Sequence, residues 1–176
     1  MEVYKTTRIQ NNSQLIETIK HIHFACHKLC KQSLGEYLVS SGNMGVFSQS
    51  KDEYKNFTRI REELTEPASN PDQKYYRLYE PLVVPAEGNT PGSIYTHLYI
   101  RKHDSTPYGK YLGDVDFVLD EAEYLELKNS VINAKIKVAE MYDRPGWDTI
   151  QITDPAINAV AYVSTKEFAE KVRVKF

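Results

Sequence analysis

The first apolar pattern along the chain predicts a long amphipathic helix. Leu, Ile and Cys side chains recur at spacings of four, three, four and three, which places them on one face of an α-helix. These positions are Leu15, Ile19, Ile22, Cys26 and Leu29. Polar residues at 11–13 provide N-cap chemistry ahead of this stripe, and Gly35 is typical of a helix end. We therefore expect residues 1–41 to form an N-terminal helical extension.

After this extension, the pattern changes to short strand-like segments and two shorter helices. Apolar and β-branched runs predict strands at 44–47, 75–84, 94–101, 113–119, 136–142, 149–153 and 159–163. Helices are predicted at 51–64 and 121–130, after the N-cap residues Ser50 and Asp120. A capping-box pattern at 164–167 predicts a short C-terminal helix or tail over 166–176.

The two strand-and-helix units repeat with an offset of 70 residues. The identical pairs are Phe47 and Phe117, Glu53 and Glu123, and Tyr54 and Tyr124. Each pair occupies an equivalent place in its unit, which indicates a duplicated module. We expect an α+β fold, with tandem βαβββ-type modules at about 42–104 and 112–163 forming a curved mixed sheet. The core would span 42–165, after the N-terminal helix.

Three segments of this core resemble one known family. They are Arg77-Leu78-Tyr79-Glu80-Pro81-Leu82-Val83-Val84, Tyr99-Ile100-Arg101-Lys102-His103-Asp104, and Tyr111-Leu112-Gly113-Asp114-Val115-Asp116-Phe117-Val118-Leu119. In this order and spacing they are similar to the YecM-like branch of the vicinal oxygen chelate superfamily. The superfamily includes glyoxalases, bleomycin-resistance proteins and dioxygenases. The resemblance spans roughly residues 13–128, and it implies a pocket enclosed by the two modules.

The resemblance also implies where a divalent metal ion would be held in catalytic members. The corresponding positions are Asn43 or Met44, Tyr99, Asp114, and Ala161 or Tyr162. Among these positions, only Asp114 has a side chain that commonly binds a divalent cation. A metal site needs several convergent donors. The resemblance therefore implies a degenerate member, in which a divalent ion is not a certain cofactor and no catalytic residue is assigned.

Alternation along the strands nevertheless predicts a polar, aromatic pocket wall. Asp114 and Asp116 should share one face of their strand, because successive side chains of a strand point to opposite faces. Tyr95, His97 and Tyr99 should form a row on a second strand. Paired carboxylates on a pocket face can bind a cation or transfer protons, whereas on an exposed face they are solvated surface groups.

Further binding candidates come from the third strand and from one turn. Arg77 and Glu80 lie on the predicted strand 75–84, and Trp147 follows a Pro-Gly turn, where it can cover a pocket or anchor an interface. If a metal ion is bound through an altered, oxygen-rich set of ligands, these ligands would be Asp114, Asp116, Glu80 and His97. A salt bridge that holds the strand end is the alternative interpretation of Glu80.

A second cluster of metal-ligating residue types lies on the predicted first helix. His23, Cys26, His27 and Cys30 follow one another at i, i+3, i+4 and i+7. Imidazole and thiolate are typical ligands of zinc or copper. Four ligands on one straight helix cannot surround an ion, so ordinary packing of this helix face is the alternative.

Composition and charge exclude several classes of function. The 22 Lys and Arg residues against 24 Asp and Glu residues leave a net charge of −2, which argues against non-specific nucleic-acid binding. No apolar run approaches the roughly 18 residues of a membrane span, and residues 1–5 lack the apolar stretch of a signal peptide. We therefore expect a cytoplasmic protein with reduced thiols, as a monomer or homodimer.

Three functions remain open from the sequence. The first is a small-molecule-binding or degenerate, non-catalytic protein with a Tyr-lined cleft, which fits the 13 Tyr residues in the chain. The second is a metal-dependent lyase, isomerase or dioxygenase with an altered ligand set. The third is a module in which the first helix pairs with a partner protein or with a second copy of the chain.

Overall fold

The computed structural model describes residues 9–103, 111–142 and 144–175, which form four helices and one mixed sheet. The helices are α1 (Asn12–Leu34), α2 (Lys51–Glu62), α3 (Glu121–Ile132) and α4 (Lys166–Lys175). The strands are β1 (Val39–Phe47), β2 (Tyr76–Val84), β3 (Ser93–Arg101), β4 (Gly113–Leu119), β5 (Ala139–Met141), β6 (Ile150–Ile152) and β7 (Val160–Thr165). No helix of the described ranges is both long and apolar enough to cross a membrane.

The strand order confirms the predicted α+β fold with one mixed sheet, in which a βαββ module is followed by a βαβββ module. The seven-stranded sheet runs β2-β3-β1-β4-β7-β6-β5. In the first module, β1 is parallel to β3, and in the second, β4 is parallel to β7. The first strands of the two modules, β1 and β4, are antiparallel neighbours at the centre. The described part of the first module contributes three strands to the sheet, and the second contributes four.

The predicted repeat is present in the helices but is out of phase in the strands. Helices α2 and α3 begin at Lys51 and Glu121 and end at Glu62 and Ile132, so both ends are 70 positions apart. Phe47 and Phe117, however, lie on opposite faces of the sheet. Phe47 lines a cavity, whereas the ring of Phe117 packs 5.0 Å from the ring of His27 in α1. The two strands also end at different distances from their helices, since three residues separate β1 from α2 and one separates β4 from α3.

Helix α1 follows its predicted pattern closely. The Asn11 side chain accepts a hydrogen bond from the backbone of Gln14, and Gly35 ends the helix with a φ of +83°. All five positions of the predicted stripe are at most 2% exposed. The helix packs against β4 and β7 and forms one continuous core with the sheet. Its apolar face is therefore used inside the chain.

The opposite face of the sheet is covered by α4. Asn43 of β1 donates from Nδ2 to the backbone carbonyl of Ala169 and accepts a hydrogen bond from Arg173, both in α4. Arg173 also donates to the carbonyl of Ser41. These contacts attach the C-terminal helix to the central strand. The central strands therefore lie between α1 on one side and α4 on the other.

We expect Ile22→Ala to destabilise the protein by about 2–5 kcal/mol, the usual cost of truncating a fully buried aliphatic side chain. Ile22 is 0% exposed and faces Gly113 at the centre of the sheet. The matched control is Ile132→Ala in α3, where the side chain is 62% exposed. Urea denaturation should place the control within about 0.5 kcal/mol of the wild type. Equal losses in both variants would contradict the packing of α1 on the sheet.

Candidate functional site

A cavity of about 260 Å³ lies on the α4 face of the sheet. Strands β4 and β7 form its floor, and α4 covers one side. Most of its wall consists of aromatic, acidic and basic side chains. The lining residues are Phe47, Lys74, Tyr75, Tyr99, Arg101, Lys102, Asp114, Asp116, Tyr142, Arg144, Trp147, Thr149, Tyr162, Ser164, Phe168, Ala169 and Val172.

Two carboxyl groups of β4 point into this cavity from the same strand face. Asp114 is 3% exposed, and its carboxyl group lies directly over Gly45 of the neighbouring strand, where any side chain would collide with it. Asp116 accepts hydrogen bonds at Oδ2 from Asn43 Nδ2 at 3.1 Å and from the Tyr75 hydroxyl at 3.3 Å. A β-carbon is absent at position 45 because the buried carboxyl group needs that space.

Burial raises the pKa of both carboxyl groups. Burial is the largest cause at Asp114, whose pKa lies well above its usual range; the charge of Asp116 raises it further, and that of Arg101 lowers it. Burial raises the pKa of Asp116 to about 6, although the hydrogen bonds from Asn43 and Tyr75 lower it. Two close carboxylates resist ionising together. The pair therefore keeps a proton to higher pH than an ordinary carboxyl group does.

Aromatic rings surround the carboxyl pair. Tyr142 packs edge-on against Trp147 and Tyr162, with ring centroids 5.9 and 5.3 Å apart, and Trp147 packs 5.7 Å from Phe168. Edge-to-face contacts at these distances are favourable because ring edges are positive and ring faces are negative. The result is a rigid aromatic wall around the carboxyl groups.

A second aromatic pair, Tyr75 and Tyr99, lies with ring centroids 5.5 Å apart. Burial raises the pKa of Tyr99 to about 12 and that of Tyr75 well above its ordinary value. Both phenols therefore stay protonated at neutral pH and can donate hydrogen bonds, as Tyr75 does to Asp116.

One hydroxyl group in the cavity wall has no internal partner. Thr149 is 4% exposed, and its Oγ1 forms no hydrogen bond with any residue that the structure describes. A buried polar group without a partner costs about 1–3 kcal/mol. Thr149 thus adds an unmet hydrogen-bonding group to the same cavity as the carboxyl pair.

The structure brings four of the predicted binding candidates into the cavity wall. They are Tyr99, Asp114, Asp116 and Trp147. His97 lies outside the lining, half-buried, where burial and the positive charges of Arg173 and Arg77 lower its pKa to about 4. Glu80 is exposed on the edge strand β2. Arg77 is also exposed, and its Nε lies 3.7 Å from the Glu66 carboxylate.

The predicted row of Tyr95, His97 and Tyr99 was wrong at Tyr95. The Tyr95 hydroxyl lies 2.7 Å from Nδ1 of His23, on the α1 side of the sheet. The register between β2 and β3 shifts between the pairs Arg77↔His97 and Leu82↔Tyr95. Tyr95 and Tyr99 therefore point to opposite faces of the sheet, and the pairing of β2 with β3 is irregular between Tyr95 and His97, with the extra residues on β2.

The His and Cys residues of α1 serve packing. The His23 ring lies between the Tyr95 hydroxyl and the carbonyl of Pro91, and Cys26 donates from Sγ to the carbonyl of Val160. Burial lowers the pKa of both His23 and His27 to about 4. Burial also raises the pKa of the Cys30 thiol to about 12, so Cys30 stays a thiol. These residues form a neutral part of the core, in which Nδ1 of His27 has no hydrogen-bond partner among the described residues.

Neither predicted ligand set converges on a metal ion. In the described part of the chain, no group of three or more His, Cys, Asp or Glu residues is placed to hold one. Of the positions that the resemblance assigns to ligands, Asn43 is bound to Asp116 and Arg173, and Met44 is buried in the core. Asp114 and Asp116 offer carboxylate oxygens, but Glu80 and His97 lie away from them. The residues present therefore do not fit the metal of the catalytic family members.

Several residues of the cavity could not be found from the sequence. Tyr162 enters because β7 pairs in parallel with β4, which sets Tyr162 opposite Asp116. Tyr142 and Thr149 flank the turn that carries Trp147, and Phe168 belongs to α4. For Tyr162 the resemblance provides a signal, because it assigns a ligand position of the family to Ala161 or Tyr162. The other three depend on how the second module and α4 fold over the sheet.

Comparisons with known proteins do not identify the chain. No family model matches it, and no curated protein is significantly similar to it. Among solved structures, it is similar to the integron cassette protein HFX_CASS4 from the mobile metagenome of the Halifax Harbour sewage outfall. The identity is 10%, and the match covers 70% of this chain and 95% of that one. The TM-score of 0.23 is too low to indicate a shared fold.

The carboxyl pair predicts a distinct pH dependence of stability. Because both pKa values are raised in the folded state, the folded protein binds more protons than the unfolded chain between about pH 4 and the folded pKa values. The free energy of unfolding contributed by these groups therefore falls as pH rises through about 4–7. Asp114→Asn should reduce this fall, leaving the part due to Asp116, and be more stable than the wild type at pH 7–8, on the order of 2 kcal/mol.

Urea denaturation from pH 4 to 8 measures this difference. Asp72→Asn is the control, because Asp72 is exposed and lies outside the cavity. Its stability should follow the wild type at every pH. Parallel curves for wild type and Asp114→Asn would contradict the raised pKa values of the pair.

Proposed function

We propose that this protein binds a small molecule in the α4-face cavity and is a degenerate, non-catalytic vicinal-oxygen-chelate-like protein. The observation that carries the proposal is the burial of Asp114 and Asp116 within an aromatic-walled cavity. Buried carboxyl groups with raised pKa values in a cleft are typical of functional sites. Apolar or aromatic pockets with a few convergent polar groups are the usual form of a ligand site.

The energetics of the pair support a binding role. Burying an ionisable group without full hydrogen bonding costs stability, and nothing in the packing of the sheet requires two acids at this place. Val or Thr at positions 114 and 116 would form an equally regular strand. A ligand that donates hydrogen bonds to the carboxyl groups and to Thr149 would offset that cost when it binds.

The size of the cavity limits the ligand. Sites for drug-sized molecules have about 300–1,000 Å³. A cavity of about 260 Å³ suits a molecule about the size of one substituted aromatic ring. Its rigid aromatic wall favours a flat or ring-shaped body.

The strand order supports the family part of the proposal. A βαββ module and a βαβββ module meet through their first strands, and the cavity lies on one face of the joined sheet. The positions that would hold the family's metal carry other side chains or point elsewhere. Binding without metal chemistry is therefore the function that these residues support best.

Filling the cavity should abolish ligand binding while leaving the fold intact. Ala169 is 3% exposed and lines the cavity from α4, so Ala169→Leu places additional carbon atoms in the ligand space. The matched control is Ala122→Leu in α3, where the side chain is exposed. Trp147 is the single Trp of the chain and lines the cavity, so its fluorescence and its indole N–H signal report directly on the site.

A library of aromatic fragments of one ring should contain molecules that shift both Trp147 signals in the wild type and in Ala122→Leu. Ala169→Leu should bind the same molecules with an apparent affinity at least about tenfold lower. Circular dichroism and thermal melting check that both variants fold. If no fragment perturbs Trp147, or if Ala169→Leu binds as well as the control, the cavity is not a ligand site.

Metal addition separates this proposal from the metal-dependent enzyme. We expect Mg²⁺, Mn²⁺, Fe²⁺, Ni²⁺ and Zn²⁺ to leave the melting temperature within the experimental error, because three convergent donors are not in place among the described residues. Protein purified without a His-tag should contain less than about one-tenth equivalent of any of these metals by elemental analysis. A stoichiometric bound metal, lost in Asp114→Asn, would favour the enzyme instead.

A further inference from the structure

The acids of the cavity lie deep, whereas three of its four basic side chains lie at the opening. Asp114 and Asp116 are on the floor strand β4, and Asp114 is 3% exposed. Lys74, Lys102 and Arg144 are exposed side chains that line the same cavity, so they lie at its opening. The fourth, Arg101, is buried, and its charge acts on Asp114. The inner part of the cavity therefore offers two carboxyl groups beside one guanidinium group, and its rim offers further positive charge.

The inner part also has hydrogen-bonding capacity that the protein itself does not use. Between described residues, no hydrogen bond reaches the Asp114 carboxyl group, and the Thr149 hydroxyl has no partner either. Both residues are more than nine-tenths buried. Buried polar groups are nearly always hydrogen-bonded, to the protein, to water or to a ligand. A donor-rich group bound at this depth would satisfy both.

The charges exclude two simple ligand classes. A plain organic cation would meet the carboxyl pair, but it would be repelled by the three basic side chains at the opening. A plain organic anion would find favourable contacts at the opening, but its body would carry no donor to the carboxyl pair. A molecule with a donor group at one end and an anionic group at the other satisfies both regions.

We infer that the cavity binds a small zwitterion, with an amine held by Asp114 and Asp116 and an acidic group held at the basic opening. This inference rests on the proposed function and names the chemical class of the ligand. The primary ammonium group supplies three donors, enough for Asp114, Asp116 and Thr149. The acidic group meets Arg144 and Lys102, for which carboxylate and phosphate are the usual partners.

The aromatic wall favours the same orientation. An ammonium group beside Tyr142, Trp147 and Tyr162 gains from the negative faces of these rings, by roughly 0.5–2 kcal/mol per contact. The ring contacts of 5.3–5.9 Å keep the three side chains fixed around the carboxyl pair. The body of the ligand then fills the space between floor and opening.

Four probe molecules of one shape test the inference. They are para-aminomethylbenzoate, which carries both ends, benzylamine, which lacks the acid, para-methylbenzoate, which lacks the donor, and para-hydroxymethylbenzoate, whose donor is neutral. Isothermal titration calorimetry at low salt and pH 7 measures each affinity. We expect para-aminomethylbenzoate to bind at least about tenfold more tightly than each of the other three.

Proton release supplies an independent readout. An ammonium group beside the pair favours its ionised form, so binding should expel a proton from the pair. Titrations of para-aminomethylbenzoate in buffers of different ionisation enthalpy should show this release, whereas para-methylbenzoate should release no proton. Release by both probes, or by neither, overturns the placement of the amine.

Single substitutions assign the two ends. Asp114→Asn should lower the affinity for para-aminomethylbenzoate to that for para-methylbenzoate. Its affinity for para-methylbenzoate should stay within about twofold of the wild-type value. Arg144→Gln should weaken the binding of all three benzoates by several-fold and should not weaken the binding of benzylamine. Asp72→Asn and Arg59→Gln are the matched controls, because both residues are exposed and outside the cavity. Both controls should bind all four probes as the wild type does.

The outcomes separate this inference from the proposed function. If benzylamine or para-methylbenzoate binds as tightly as the zwitterion, the ligand class is wrong, while the cavity remains a binding site. If para-hydroxymethylbenzoate binds as tightly as para-aminomethylbenzoate, a neutral donor suffices, and the inference that the ligand carries an amine is overturned. If none of the four probes binds, the zwitterion is overturned, and the fragment screen with Ala169→Leu decides the role of the cavity separately.

Discussion

The antiparallel pairing of β1 with β4 is the contact on which the rest of the structure depends. It sets Gly45 opposite Asp114 and Met44 opposite Val115, so each strand sends one set of side chains to α1 and the other to α4. The missing side chain at Gly45 leaves room for the Asp114 carboxyl group. One register therefore determines both the apolar core and the acidic floor of the cavity. A shift by one residue would bury the acids under α1.

The two faces of this sheet place their buried polar groups in different surroundings. Under α1, the His23 ring is held by a hydroxyl and a carbonyl, and Cys26 donates to a carbonyl, although Nδ1 of His27 has no partner among the described residues. Under α4, Asp114 and Thr149 keep unused hydrogen-bonding capacity beside a cavity. A bonded polar group stabilises a unique packing, whereas an unbonded one is a cost that a ligand can remove. This contrast distinguishes the packing cluster from the candidate site.

Much of the architecture could be predicted from local patterns. The stripe on α1, the caps at Asn11, Ser50 and Asp120, and the 70-residue spacing of α2 and α3 all follow from periodicity and from residue types at helix ends. Asp114 and Asp116 were assigned one strand face for the same reason. The prediction that Tyr95, His97 and Tyr99 share one face was wrong at Tyr95. Regular alternation of side chains is expected only in a regular strand, and the pairing of β3 with β2 is irregular. Phe47 and Phe117 are identical in the 70-residue repeat but lie on opposite faces of the sheet, because the repeat that holds for the helices does not hold for the strands.

By itself, the sequence determined which segments become helices and strands, because helix periodicity, capping and β-branched runs act over a few residues. It also determined the chemistry available for a site: many Tyr residues, two acids on one strand, and His and Cys on one helix. Only the tertiary structure decided which of these groups meet. The parallel pairing of β4 with β7 and the docking of α4 bring Tyr162 and Phe168 to the carboxyl pair, and both contacts join residues far apart in the chain. Such contacts depend on how whole elements pack, so no local pattern encodes them.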